Sequence, residues 1–185
     1  MKQTIYFALA VLSICTILNT SCNKIKEAVK ADINLTYSDV EFTIPQITAA
    51  GPATLSSKDV YLNIDSIIKA SNTKLSAGNI RSVTIKSCVV NMIDGDAANN
   101  FSALESCKVD FSSNVNTQLY SLAEITNNPD TEAYTLEIPV NSSINLKDYF
   151  NATTFSYTLA GNARKTTSKE IKCKATIKYT LEAGL

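Results

Sequence analysis

Residues 171–182 read IKCKATIKYTLE, and this stretch decides the architecture. Ile171, Cys173, Ala175, Ile177, Tyr179 and Leu181 fall on one face of an extended chain. Lys172, Lys174, Thr176, Lys178, Thr180 and Glu182 fall on the other. Strict alternation of this kind marks a strand that is buried on one side and wet on the other. Working backward, Gly161–Ser168 reads as a loop, and Phe155, Tyr157 and Leu159 alternate in the strand before it. Tyr134, Leu136, Ile138 and Val140 alternate too, and residues 80–93 and 101–111 form two strands around the turn residues 94–100. Near the start, Ile33, Leu35 and Tyr37 keep one phase, while Val40, Phe42 and Ile44 resume it after a slip at Ser38-Asp39. A one-residue slip of this kind is what a β-bulge produces.

Helical signals are short. Asp65 can cap one or two turns over 65–70 after a strand at Val60–Ile64, and residues 143–151 read as a short helix or turn. Many short strands with scarcely any helical periodicity predict an all-β fold, an immunoglobulin-like β-sandwich of about seven or eight strands with one or two short helical turns.

Composition excludes most chemistry. The chain has 185 residues and no His, which removes imidazole-activated nucleophiles and His-ligated zinc. Its five Gly stand apart from one another, so no phosphate-cradling loop can be written. Lys+Arg and Asp+Glu are both 17, against any nucleic-acid partner. The charge is unevenly spread, however. Between Asp94 and Glu137 the only base is Lys108, whereas Arg164, Lys165, Lys169, Lys172, Lys174 and Lys178 surround the single acid Glu170. A lysine-lined strand face reads as a solvated face or as protection against strand pairing. Asp94-x-Asp96 with Asn99 and Asn100 offers oxygen ligands, but it lacks the closing Glu of a calcium loop and is equally ordinary turn chemistry. No metal, cofactor or catalytic residue is expected, and the chain reads as no enzyme.

The N-terminus sets the compartment. Lys2 precedes a mostly apolar run, Thr4–Leu18, too short to span a bilayer and patterned like a secretory signal. The run ends in Asn19-Thr20-Ser21-Cys22, which resembles the lipobox of bacterial lipoproteins, with Asn19 where Leu is usual. That resemblance implies a signal peptide over 1–21, lipid attachment at Cys22, a tether over 22–32 and one domain over 33–185.

Three cysteines then remain, Cys88, Cys107 and Cys173, with no CxxC. If the strands flanking 94–100 form a hairpin with a bulge at Lys86-Ser87, Cys88 lies opposite Cys107. That makes them a candidate disulfide, with buried thiols as the alternative. Cys173 lies on the apolar face of its strand, as a small core residue.

The alternating N-terminal strand, DSIIKAS, NIRSVTIKSC, NNFSALESCKVDFSS and the Lys-rich last strand together resemble small β-sandwich lipoproteins of Bacteroidota cell envelopes. The resemblance implies an outer-membrane, lipid-anchored protein, mostly of a kind without assigned activity. With Glu27 as the first acid after Cys22, it favours a periplasm-facing orientation. Asp65-Ser66-Ile67 fits the Asp-Ser/Thr-aliphatic pattern such bacteria O-glycosylate, so Ser66 is a candidate acceptor. The expected role is a non-catalytic structural or interaction module with an envelope protein or glycan as partner. The other reading is a glycan- or small-ligand-binding lipoprotein of a nutrient-uptake system; the lack of Trp counts against a sugar-stacking platform, although eight Tyr could supply one.

Overall fold

The computed structural model describes residues 29–185. The signal segment and tether residues 22–28 lie outside them. The described chain forms β1 (Lys30–Ile44), β2 (Gly51–Tyr61), α1 (Ile64–Ser71), β3 (Ile80–Met92), β4 (Leu104–Ser113), β5 (Tyr120–Ile125), β6 (Thr135–Ile138), β7 (Thr154–Ala163) and β8 (Ile171–Gly184). Short 3₁₀ turns lie at Ala77–Asn79, Phe101–Ala103 and Lys147–Tyr149. β1 takes up Lys30–Asp32 of the expected tether, because these residues pair with Gly184–Glu182 of β8.

Two four-stranded antiparallel sheets result, in the orders β1-β8-β3-β6 and β2-β7-β4-β5. The all-β sandwich expected from the alternations is what forms. Its connectivity is that of a jelly roll rather than the immunoglobulin-like one expected, because the chain changes sheet at every step except β4 to β5. The apolar rows face each other: Ile177, Tyr179, Leu181, Val83, Ile85 and Val90 from one sheet meet Val109, Phe111, Phe155, Tyr157 and Leu159 from the other, all buried. Phe111 anchors the lower half, with ring centroids 5.3 Å from Tyr149, 5.2 Å from Tyr157 and 6.0 Å from Phe155. Such pairs add stabilisation beyond their buried area.

β3 and β4 do not form the hairpin expected around 94–100. β3 pairs with β8 and β6, and β4 with β7 and β5. The intervening chain carries a buried 3₁₀ turn that takes it from one sheet to the other. Asn128 fastens that crossing: buried itself, it donates from Nδ2 to the Phe101 carbonyl at 2.7 Å and the Leu104 carbonyl at 2.9 Å. Arg164 in turn donates to the carbonyls of Asn128 at 2.7 Å and Ser102 at 3.1 Å. Gly161 on β7 is also required here, since a Cβ would stand 2.2 Å from the Ser106 carbonyl oxygen.

The two long sides of the sandwich differ. On one, the chain leaves β6, and Pro139–Asn141 crosses to the other sheet. The Glu124 amide donates to the Pro139 carbonyl at 2.9 Å and Ala123 bridges to Val140, so β5 is covered there. On the other side, β1 and β2 are both edge strands, and both are bulged, at Tyr37/Val40 and at Thr54/Ser56. The first bulge stands where the sequence slips phase.

Replacing Asn128 by Ala removes two hydrogen bonds to buried carbonyls. Each carbonyl keeps one other donor, the Leu104 amide on Phe101 and Arg164 Nη1 at 3.5 Å on Leu104, so each lost bond costs about 0.5–1.5 kcal/mol. Urea unfolding of Asn128→Ala should therefore show a loss of about 1–3 kcal/mol at unchanged m. A loss within the scatter of surface substitutions would contradict this role.

Candidate functional site

Packing does not close fully between the sheets. Between the sheets, behind the open β1/β2 side, lies a cavity of about 50 Å³, lined by Val40 and Phe42 of β1, Ala175 and Ile177 of β8, and Cys88, Val90, Val109, Tyr157 and Leu159 deeper in. Three local features produce it. The β1 bulge separates the Tyr37–Ile177 and Val40–Ala175 pairs. Ala175 puts only a methyl into the inward row of β8, and it lies opposite both Val40 and Val90. The β2 bulge then resets the phase, so that Ser56 pairs with Leu159 and Lys58 with Tyr157. Directly opposed residues in an antiparallel pair share a face. Ser56 and Lys58 therefore belong to the inward row and line the cavity mouth, where Lys58 is exposed and Ser56 half-buried. Outside, the mouth continues into a polar groove with Glu41, Thr43, Ser57, Ile93 and Lys172 on its walls.

The candidate cysteines sit on opposite sheets. Cys88 pairs with Ile177 and Ile138, and Cys107 with Ile125 and Gly161. Both are free, buried thiols, as is Cys173. The opposed-hairpin geometry that would have bridged them is absent because β3 and β4 belong to different sheets. Burial pushes all three thiols up to about 12, and the neighbouring Cys88 raises Cys107 further. Thiols so protonated are poor nucleophiles.

Ser66 lies exposed on α1. The N-cap of this helix is Asn63, whose Oδ1 accepts the Ser66 amide at 2.9 Å, rather than Asp65. Asp65 instead pairs with Lys69 at 2.6 Å and accepts the Ala77 amide at 3.0 Å. Cys22 lies outside the described residues.

At the upper loops the acidic middle of the sequence meets its basic end. Lys169 pairs with Asp96 at 3.1 Å, Lys165 pairs with Asp130, and the Lys172 amide donates to Asp94 at 2.7 Å. Asn99 and Lys169 hold Asp96 below the usual carboxylate range, and Lys165 does the same for Asp130. The oxygens that read as calcium ligands thus serve the loop: Asp96 accepts the amides of Ala98 and Asn99, and Asn99 accepts the Ser168 amide at 2.8 Å. Among the described residues no group of three or more Cys, Asp or Glu is placed to hold a metal. The lysines of β8 lie on the outer face of a central strand, so they form a solvated face rather than edge protection.

The tyrosines are divided. Tyr149, Tyr157 and Tyr179 are buried, and Tyr157 and Tyr179 share a hydroxyl hydrogen bond at 3.1 Å. Tyr61 is 80% exposed and Tyr134 39%. They belong to opposite ends of the sandwich: Tyr61 closes β2 opposite Thr154, and Tyr134 stands beside Met92 and the upper loops. They build no common stacking platform.

The fold and site together define a jelly-roll β-sandwich with one open side. No family model matches the chain, and no curated protein does either. Some solved structures match it at low similarity. The infectious bursal disease virus Gx strain structure is 12% identical at a TM-score of 0.41, over 84% of this chain and 32% of that one. A decameric BFDV capsid protein is 12% identical at a TM-score of 0.37, over 83% and 98%. Turnip yellow mosaic virus is 10% identical at 0.32, over 85% and 94%. The chain spans about a third of the length of the bursal virus structures. At these scores the likenesses carry no argument about function.

The thiols make stability sensitive to alkali. Their folded-state values lie above the ordinary value of 9.0, so the folded state keeps protons that the unfolded chain loses. Stability is then complete below about pH 9 and falls as pH rises toward 12, by about 1.4 kcal/mol per pH unit for each thiol. Urea unfolding between pH 8 and pH 11 should give a shallower decline for Cys173→Ala than for the wild type; equal slopes would mean that Cys173 ionises freely in the fold.

Proposed function

We propose that this chain is a lipid-anchored envelope protein, attached through Cys22, whose sandwich acts as a non-catalytic structural or interaction module. The observation that carries the non-catalytic reading is where the reactive groups are spent. The described thiols are buried and protonated, and the acids of the upper loops are committed to amides and lysines. Attachment rests on the sequence: Thr20 and Ser21 before Cys22, after a run too short to span a bilayer. No helix among the described residues is long and apolar enough to cross a membrane. A triacylated Cys would hold the protein firmly, since each buried methylene contributes roughly 0.8 kcal/mol. An outer-membrane, periplasm-facing placement and glycosylation at Ser66 belong to the same proposal, with the exposure of Ser66 in its favour.

The ligand-binding reading divides. For a glycan, the separated Tyr61 and Tyr134 give poor support. For a small apolar ligand, the cavity behind β1 and β2 gives a definite place.

Metabolic labelling with an alkyne analogue of palmitate tests the anchor. The wild type should carry label and fractionate with membranes, whereas Cys22→Ala should lose both. Label retained on Cys22→Ala would overturn attachment at that residue.

A further inference from the structure

We infer that the cleft between β1 and β2 is a binding site for a short unbranched carboxylate, with its alkyl end in the cavity and its carboxylate at Lys58 and Ser56. The site does not depend on lipid at Cys22, so each can fail without the other.

The cavity fixes the tail. Its lining is almost wholly apolar, so water entering it would find too few partners to be held. At about 50 Å³ it is small beside the roughly 150 Å³ that takes up benzene, so it suits a few linear carbons and not a ring. Phe42 is only half-buried at the rim, which lets a narrow chain pass between it and Ser56.

The mouth fixes the head. Of the inward row of β2, the two residues beside the opening are a hydroxyl and an ammonium, and on the groove just outside Lys172 stands with Glu41, so two cations outweigh one carboxylate there. Lys58 and Lys172 form no ion pair among the described residues. An inward-pointing charge on an edge strand also discourages strand pairing. That accounts for Lys58 but not for the unfilled apolar space behind it. A ligand with an anionic end and a thin apolar end uses both.

The test is equilibrium dialysis of radiolabelled hexanoate against the full chain in lipid nanodiscs, with empty nanodiscs as the blank and hexanol as a neutral comparator. The wild type should bind hexanoate saturably at one site, more tightly than acetate by about fourfold per methylene that enters the cavity. Ala175→Leu fills the space from β8; it should melt higher than the wild type and lose saturable binding. Ser56→Leu, at the half-buried rim, blocks the same path should Ala175→Leu fail to fold. Lys58→Gln should weaken hexanoate by about fivefold, as befits an exposed ion pair, and leave hexanol unchanged. Retention no greater than the blank, or equal binding by a folded filled variant, would overturn the site. Equal weakening of hexanoate and hexanol by Lys58→Gln would overturn the placement of the carboxylate.

Discussion

The inward row of β8 is the constraint on which the rest of the structure depends. Cys173, Ile177, Tyr179 and Leu181 are all nearly inaccessible, and β8 is paired along its length on both sides, by β1 and by β3. A strand buried on one face and bonded on both edges can only be central in its sheet. β1 and β3 must therefore flank it, although they lie far away in sequence, and a second sheet must cover its apolar face. The jelly-roll order satisfies all three requirements at once, because every pair of consecutive strands except β4 and β5 is split between the two sheets. The crossings that this demands need buried polar fastenings, which is the part played by Asn128 and Arg164.

What the sequence disclosed follows from which interactions are local. Period-two alternation reports burial of one face, so β3, β4, β7 and β8 are legible, and the phase slip at Ser38-Asp39 marks the β1 bulge. Pairing partners are not local. Alternation in 80–93 and 101–111 says nothing about whether the turn between them returns the chain to the same sheet, and the presumed hairpin, with its cysteine pair, failed for that reason. β5 was missed because Leu122 and Ala123 are both buried and break the alternation. Most of β2 was missed because its bulge places Ser56 and Lys58 on the inward row. Polar residues there look like a loop until the partner strand is known. The cavity was illegible for the same reason: it arises where residues from β1, β2 and β8 meet.

Charge shows the same division between chain and space. An acidic middle and a basic end suggest, in sequence, a polarised molecule. In the fold, Lys169 and Lys165 reach Asp96 and Asp130, so part of that asymmetry cancels across the upper loops. Exposed pairs of this kind contribute little to stability. Their effect is to order loops 93–100, 126–134 and 163–171 against one another. Further lysines lie along the outer face of β8 and at the mouth of the cleft, where Glu41 stands among them.

The two long sides of the sandwich thus have different consequences. Where Pro139–Asn141 crosses between sheets, backbone hydrogen bonds tie them together and fix their separation. On the opposite side only side chains span the gap, and two bulges together with the small Ala175 leave that packing incomplete. A sheet pair hinged by hydrogen bonds on one side and held by side chains on the other can admit a guest only at the second. Val40 lies ten residues along β1 from Lys30, or about 33 Å at the rise of an extended strand. Whatever precedes Lys30 therefore joins β1 at its end remote from the cleft, so the mouth is not formed by the start of the strand.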